Sequence, residues 1–227
     1  MKKENLLVCI CAAVSLPGVL VWQLFFAEKV SFYMVGVVLI VLTILPFFAS
    51  FECGRAAAVE ISLLAVMAAL AVASRAAFYA LPQVKPICAV VIVSGVCFGA
   101  KNGFAVGAIS AFVSNFLFGH GVWTPYQMLA LGLCGLFAGL LFRAVRPTRV
   151  RLAVYGFFAA TVLYGLIVDL STVFMTLSRL TWQGVLGVYA AGAVLSLIFG
   201  ATTAVFLFLF GEAFVKKINR IQKKYAV

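Results

Sequence analysis

Apolar runs of about 17 to 25 residues follow one another along the whole chain, and this pattern leaves few folds open. At 1.5 Å of rise per residue, such a run matches a hydrocarbon core of about 30 Å when helical, whereas a membrane barrel would need shorter, alternating strands. Lipid also requires the backbone to satisfy its own hydrogen bonds, which a helix does. Composition agrees: 66% of the residues are hydrophobic and 10% charged, against about 45–50% and about 25% in a soluble domain. The sequence therefore predicts an all-α integral membrane bundle.

Eight segments are expected, at 6–26, 30–49, 57–80, 86–100, 102–118, 125–143, 152–174 and 184–214. The first follows Lys2 and Lys3, but its length and the lack of an A-x-A cleavage site favour a retained helix over a signal peptide. An even number of spans puts both termini on one side. One set of loops and tails holds thirteen of the 17 basic residues, including Arg143, Arg146, Arg149, Arg151 and the Lys216–Lys224 cluster; the other holds Lys29, Arg75, Lys85 and Arg179. Cytoplasmic loops collect Lys and Arg, so both ends are expected in the cytoplasm. The net charge of +11 is then a topology signal, and no basic–aromatic interleaving points to nucleic acid.

Small residues recur at helical spacing: Ala65, Ala69 and Ala73; Gly95 and Gly99; Gly103, Gly107 and Ala111; Gly132, Gly135 and Gly139. Such stripes let helices approach closely in lipid. The glycine stripes are read as packing within the chain and the alanine stripe as a partner surface. In Thr124-Pro125-Tyr126-Gln127, Thr124 is expected to cap the sixth segment and Gln127 to bond back to it. The six cysteines form no C-x-x-C pair and read as small apolar residues.

Catalytic equipment is sparse. There is no G-x-x-x-x-G-K-[ST] phosphate loop and no H-E-x-x-H, and His120 is the single histidine. The six acidic residues are scattered, so no catalytic residue, metal site or cofactor is expected. Polar groups gather instead at the outer helix ends: Arg75, Gln83 and Lys85 at one turn, Asn115, His120, Trp123, Tyr126 and Gln127 at the next, Asp169, Arg179 and Trp182 at the last. Asp169 inside a span is costly and points to function, or else to an ion pair with Arg75 or Arg179. Trp123, Tyr126 and Trp182 are equally readable as interface anchors. Convergence of polar groups and rings favours a small-molecule site of Arg75, Gln83, Lys85, Asn115, Trp123, Tyr126, Gln127 and Asp169.

The stretches Ser74-Arg75-Ala76-Ala77-Phe78, Leu81-Pro82-Gln83-Val84-Lys85-Pro86, Phe98-Gly99-Ala100-Lys101-Asn102-Gly103 and the S-N-x-x-x-G-x-G-x-W-T-P-x-Q-M run from Ser114 to Met128 resemble the substrate-binding S component of an energy-coupling-factor (ECF) transporter, an ABC-type importer of prokaryotic cell membranes. The resemblance implies a six-helix core over residues 55–227, preceded by two helices of unassigned role in residues 1–54. It implies a vitamin bound at the outer face, with cobalamin the best match for the T-P-x-Q-M group. It also implies partners: a membrane T subunit, docked through Ala65, Ala69 and Ala73, and two ATPase subunits that hydrolyse ATP. The final core helix, around Leu197-Ile198-Phe199-Gly200, lacks the Asp and His of many relatives, which argues against ligand contacts from it. Two other functions fit the composition: a stand-alone secondary transporter, for which Asp169 is the only coupling carboxylate, and a ligand-free membrane assembly or sensor protein.

Overall fold

The computed structural model describes Val38, residues 58–177 and residues 181–225. The two expected N-terminal segments and Arg179 lie outside the described residues. Among those residues the chain is helical, with no strand, and forms six helices. They are α1 (Ala58–Ala77), α2 (Ile87–Phe98), α3 (Ala100–Phe118), α4 (Trp123–Ala144), α5 (Arg149–Thr176, with a π-helical stretch at Ala159–Tyr164) and α6 (Trp182–Phe206, continued through a π-helical stretch at Leu207–Gly211 into Glu212–Tyr225). These are the six predicted core segments, with ends displaced by a few residues. The largest displacement is at α6, where the helix runs on through the basic Lys216–Lys224 cluster that a hydropathy reading assigns to a tail.

α4, α5 and α6 are long and apolar enough to cross a bilayer. Their outward faces carry Leu166, Val194 and Leu209, as α1 and α3 carry Val66 and Phe116, all more than half exposed. In water such a surface would aggregate; in lipid it is solvated.

The core forms where α3 and α4 cross beside α2. The glycine stripes make that crossing possible. A Cβ on Gly103 would lie 2.6 Å from the Gly135 carbonyl oxygen, and Cβ atoms on Gly95, Gly107 or Gly139 would strike the backbone of the facing segment. The stripes thus pack within the chain, as expected. Gly99 separates α2 from α3 with φ of 87°, a left-handed conformation that costs glycine little. Cys88 and Cys134 are buried as free thiols, consistent with packing as small apolar groups.

The α5–α6 seam pairs a polar side chain on one helix with a glycine on the other. Thr161 lies against Gly200, Ser196 against Gly165 and the Asp169 carboxyl against Gly192. The two sets, Thr161/Gly165/Asp169 and Gly192/Ser196/Gly200, each recur every four residues and so line one helix face. The π-helical stretch in α5 adds a residue to its turn, which re-aims the side chains beyond it. Those side chains form one wall of the site.

Candidate functional site

The loop 78–86 is shaped by its prolines and by one strained residue. α1 stops at Ala77, and Tyr79 and Leu81 close successive turns by donating to the carbonyls of Ala76 and Phe78. Gln83 follows with φ of 57°, left-handed and unfavourable for a residue with a Cβ, and the Lys85 amide donates to its carbonyl at 3.0 Å. Pro86 then precedes α2, where its lack of an N–H costs nothing. This path turns Gln83 and Lys85 over a hollow between α1, α4, α5 and α6.

That hollow has a volume of about 270 Å³. Arg75, Gln83, Lys85 and Gln127 line one side and Tyr164, Asp169 and Thr172 another. Ser196 of α6 and the apolar surfaces of Leu131, Val168, Leu195 and Phe199 complete it. Two other hollows, of about 790 and 300 Å³, are walled almost wholly by apolar residues such as Phe137, Phe158 and Phe210 and suit lipid chains. Only the first mixes apolar walls with convergent polar groups, the combination that orients a small ligand.

A buried network sets its geometry. The Arg75 guanidinium donates to Ser114 Oγ and, at 2.8 Å, to Asn115 Oδ1. Asn115 Nδ2 donates to Thr124 Oγ1 at 3.0 Å and to Gln127 Oε1 at 2.9 Å. Asn115 thereby ties the end of α1 to the start of α4 without lining the hollow. Arg75 and Lys85 both lie over the Phe118 ring, at 4.3 and 4.8 Å from its centroid, a cation–π arrangement that offsets part of their desolvation. Partial burial, and secondarily the Arg75 charge, lower the Lys85 pKa from the ordinary lysine value.

The network corrects the expected cap. Thr124 Oγ1 accepts from the Gly121 amide at 3.2 Å and from Asn115, Gln127 is turned to Asn115, and no side chain caps α4. The Asp169–Arg75 ion pair is also absent: Arg75 is held by Ser114 and Asn115, and Asp169 has no ion-pair partner among the described residues.

Five of the eight expected site residues, Arg75, Gln83, Lys85, Gln127 and Asp169, come together around the hollow. Trp123 and Tyr126 do not. Trp123 packs its ring over Gly121, and Tyr126 is buried in the core with a hydroxyl that has no hydrogen-bond partner among the described residues. His120 is exposed, stacked edge-on against Phe116 at 4.6 Å, and Trp182 is 76% exposed. Tyr164, Gly192 and Ser196 line the hollow but were not singled out by sequence. For Gly192 and Ser196 the signal was the four-residue recurrence of small residues on α6. The final core helix therefore does reach the site, through Ser196 and Phe199 instead of Asp or His. Among the described residues no group of His, Cys, Asp and Glu is placed to hold a metal.

The family model for the ECF-type riboflavin transporter, S component, matches residues 55–216, all but the end of α6. The chain belongs to that family. As a member of an S-component family it is a membrane-embedded, substrate-specific transport subunit, and the family implies T and ATPase partners and a vitamin ligand. The expectation of cobalamin finds no support, since the family name points to riboflavin. No curated protein and no solved structure matches the chain.

Proposed function

We propose that this S component binds riboflavin in the hollow beneath loop 78–86 and delivers it for import. The observation that carries the reading is the hollow itself, a compartment of about 270 Å³ with apolar faces and polar edges in a riboflavin-family chain. A flavin has the complementary form: a flat tricyclic ring with hydrogen-bonding edges and a short polyol tail. Tyr164, Leu131, Val168 and Phe199 offer surfaces for the ring. Asp169, Gln127 and Ser196 offer acceptors and donors for its edge and hydroxyls.

The energy comes from outside the chain. With no phosphate loop in the sequence, ATP hydrolysis falls to two partner ATPase subunits, coupled through a membrane T subunit. Ala65, Ala69 and Ala73 are all exposed along one face of α1, which supports their role as a close-packing surface for that subunit. The loop over the hollow is assigned to the outside and both termini to the cytoplasm.

Reconstitution in proteoliposomes tests the reading. The chain alone should bind riboflavin without accumulating it, and accumulation should require the T subunit, the ATPases and ATP. Concentrative uptake by the chain alone, driven by an ion gradient, would overturn it in favour of a secondary transporter.

A further inference from the structure

The last stretch of α6, Glu212–Tyr225, carries five basic residues and one acidic residue, Glu212. Its depth is fixed at two points. The Glu212 carboxylate accepts from the Arg149 amide at 3.2 Å, at the start of α5, and Gln222 Nε2 donates to the Cys97 carbonyl at 3.3 Å, in the last turn of α2. Both partners stand at the ends of membrane helices on one side of the bundle, so the stretch is held at the membrane boundary instead of projecting away from it. Its two faces are opposed. Val215 and Ile218 are buried in the core and Gln222 lies on their side, whereas Lys216, Lys217, Arg220, Lys223 and Lys224 are exposed and occupy an opposite arc of about 120°. Along the outward side of α6 the exposed residues change from Phe208, Leu209, Phe210 and Phe214 to Lys216 and Lys217 within one turn, which marks the passage from acyl chains to headgroups. A stripe of like charges three and four residues apart destabilises a helix by itself. Among the described residues Lys216 pairs with Glu212 at 2.7 Å, and Lys217, Arg220 and Lys223 have no carboxylate or hydrogen-bond partner. Sorting of basic residues to one side of a membrane accounts for their presence but not for their gathering on one helix face.

We propose that this face binds the headgroups of anionic phospholipids in the adjoining leaflet and thereby anchors the C-terminal end of α6 at the membrane surface. Lipid phosphodiesters supply the negative charge that the chain itself lacks there. Arg149, whose guanidinium lies 4.0 Å from Glu212, extends the cationic surface onto the start of α5. Depth favours lipid over an acidic protein surface as the occupant, because the outward face passes from acyl-solvated aromatic rings to cations with no uncharged polar surface between. Long, flexible lysine stems can also follow mobile headgroups while their methylenes stay against apolar neighbours. The proposal is independent of which ligand fills the hollow.

The test is mass spectrometry of the lipids that the full chain retains after mild detergent extraction from vesicles of equal parts phosphatidylcholine and phosphatidylglycerol. A basic residue at an anionic surface contributes about fivefold in affinity. Wild type should therefore retain phosphatidylglycerol over phosphatidylcholine by about fivefold or more, and rising salt should narrow the preference. Combining Lys217→Gln, Arg220→Gln and Lys223→Gln should lower it by about fivefold or more, whereas Lys217→Arg, Arg220→Lys and Lys223→Arg together should preserve it. Thermal midpoints in phosphatidylcholine alone report whether the variants fold, and the wild-type ratio decides the matter even where a variant does not. Wild type that retains the two lipids equally, or a folded glutamine variant with unchanged preference, would overturn the proposal. A glutamine variant that keeps its lipid preference but no longer co-purifies with the T and ATPase subunits would also overturn it, by assigning the face to an acidic protein surface.

Discussion

Asn115→Ala removes the residue on which the site's support converges. Its amide makes three hydrogen bonds, of 2.8 Å from Arg75, 3.0 Å to Thr124 and 2.9 Å to Gln127, and is 1% exposed. Polar contacts between helices in a membrane contribute about 0.6 kcal/mol each, which sets a floor of about 2 kcal/mol for the three. The bond from the Arg75 guanidinium is charge-assisted, and its loss leaves a buried cation with Ser114 as its remaining hydrogen-bond acceptor, raising the expected loss to about 2–4 kcal/mol. For a chain of this size that lowers the thermal midpoint by about 4–16 °C. Arg75 and Gln127, no longer fixed, reorganise into the hollow, so flavin affinity should fall at least tenfold although Asn115 does not line it. Asn115→Asp keeps an acceptor for Arg75 but loses both amide donors, and should fall between wild type and alanine in both measurements. Scanning fluorimetry in detergent and flavin titration on the same samples check this. An Asn115→Ala protein with wild-type midpoint, or one that is destabilised yet binds flavin unchanged, would refute the reasoning.

Two further outcomes are expected. Gly135→Ala drives a Cβ into the Gly103 backbone at the α3–α4 crossing and should destabilise the protein by about 1–3 kcal/mol, visible as a lower thermal midpoint; an unshifted midpoint would show that the crossing is looser than described. Ala69→Leu, on the exposed face of α1, should abolish co-purification with the T subunit while flavin titrations stay at wild-type values, and intact co-purification would move the docking surface elsewhere.

Span positions followed from hydropathy because lipid thickness fixes helix length, and α4 was found from its polar–aromatic start even though its cap is different. The cap failed for a tertiary reason. Asn115, nine residues before Thr124, competes for the same side chains, and a local motif carries no information about such a neighbour. The charged site residues Arg75, Lys85 and Asp169 were legible because an ionisable group near lipid stands out by its cost. Trp123 and Tyr126 were misplaced because an aromatic side chain is equally at home in a core, at an interface or in a ligand site. Tyr164 was invisible for a different reason: the π-helical stretch that ends on it shifts the helical phase, so a regular 3.6-residue wheel puts the following residues on the wrong face. Ser196 and Gly192 were hidden among small residues whose meaning depends on the facing helix.

Native mass spectrometry of the protein, gently extracted from cells supplied with riboflavin, addresses the central claim most directly. The account predicts a single added mass equal to one flavin per chain, retained in wild type and lost when Ser196→Trp fills the hollow. Protein that keeps its fold yet carries no flavin, or that carries one equally well with the hollow filled, would contradict it.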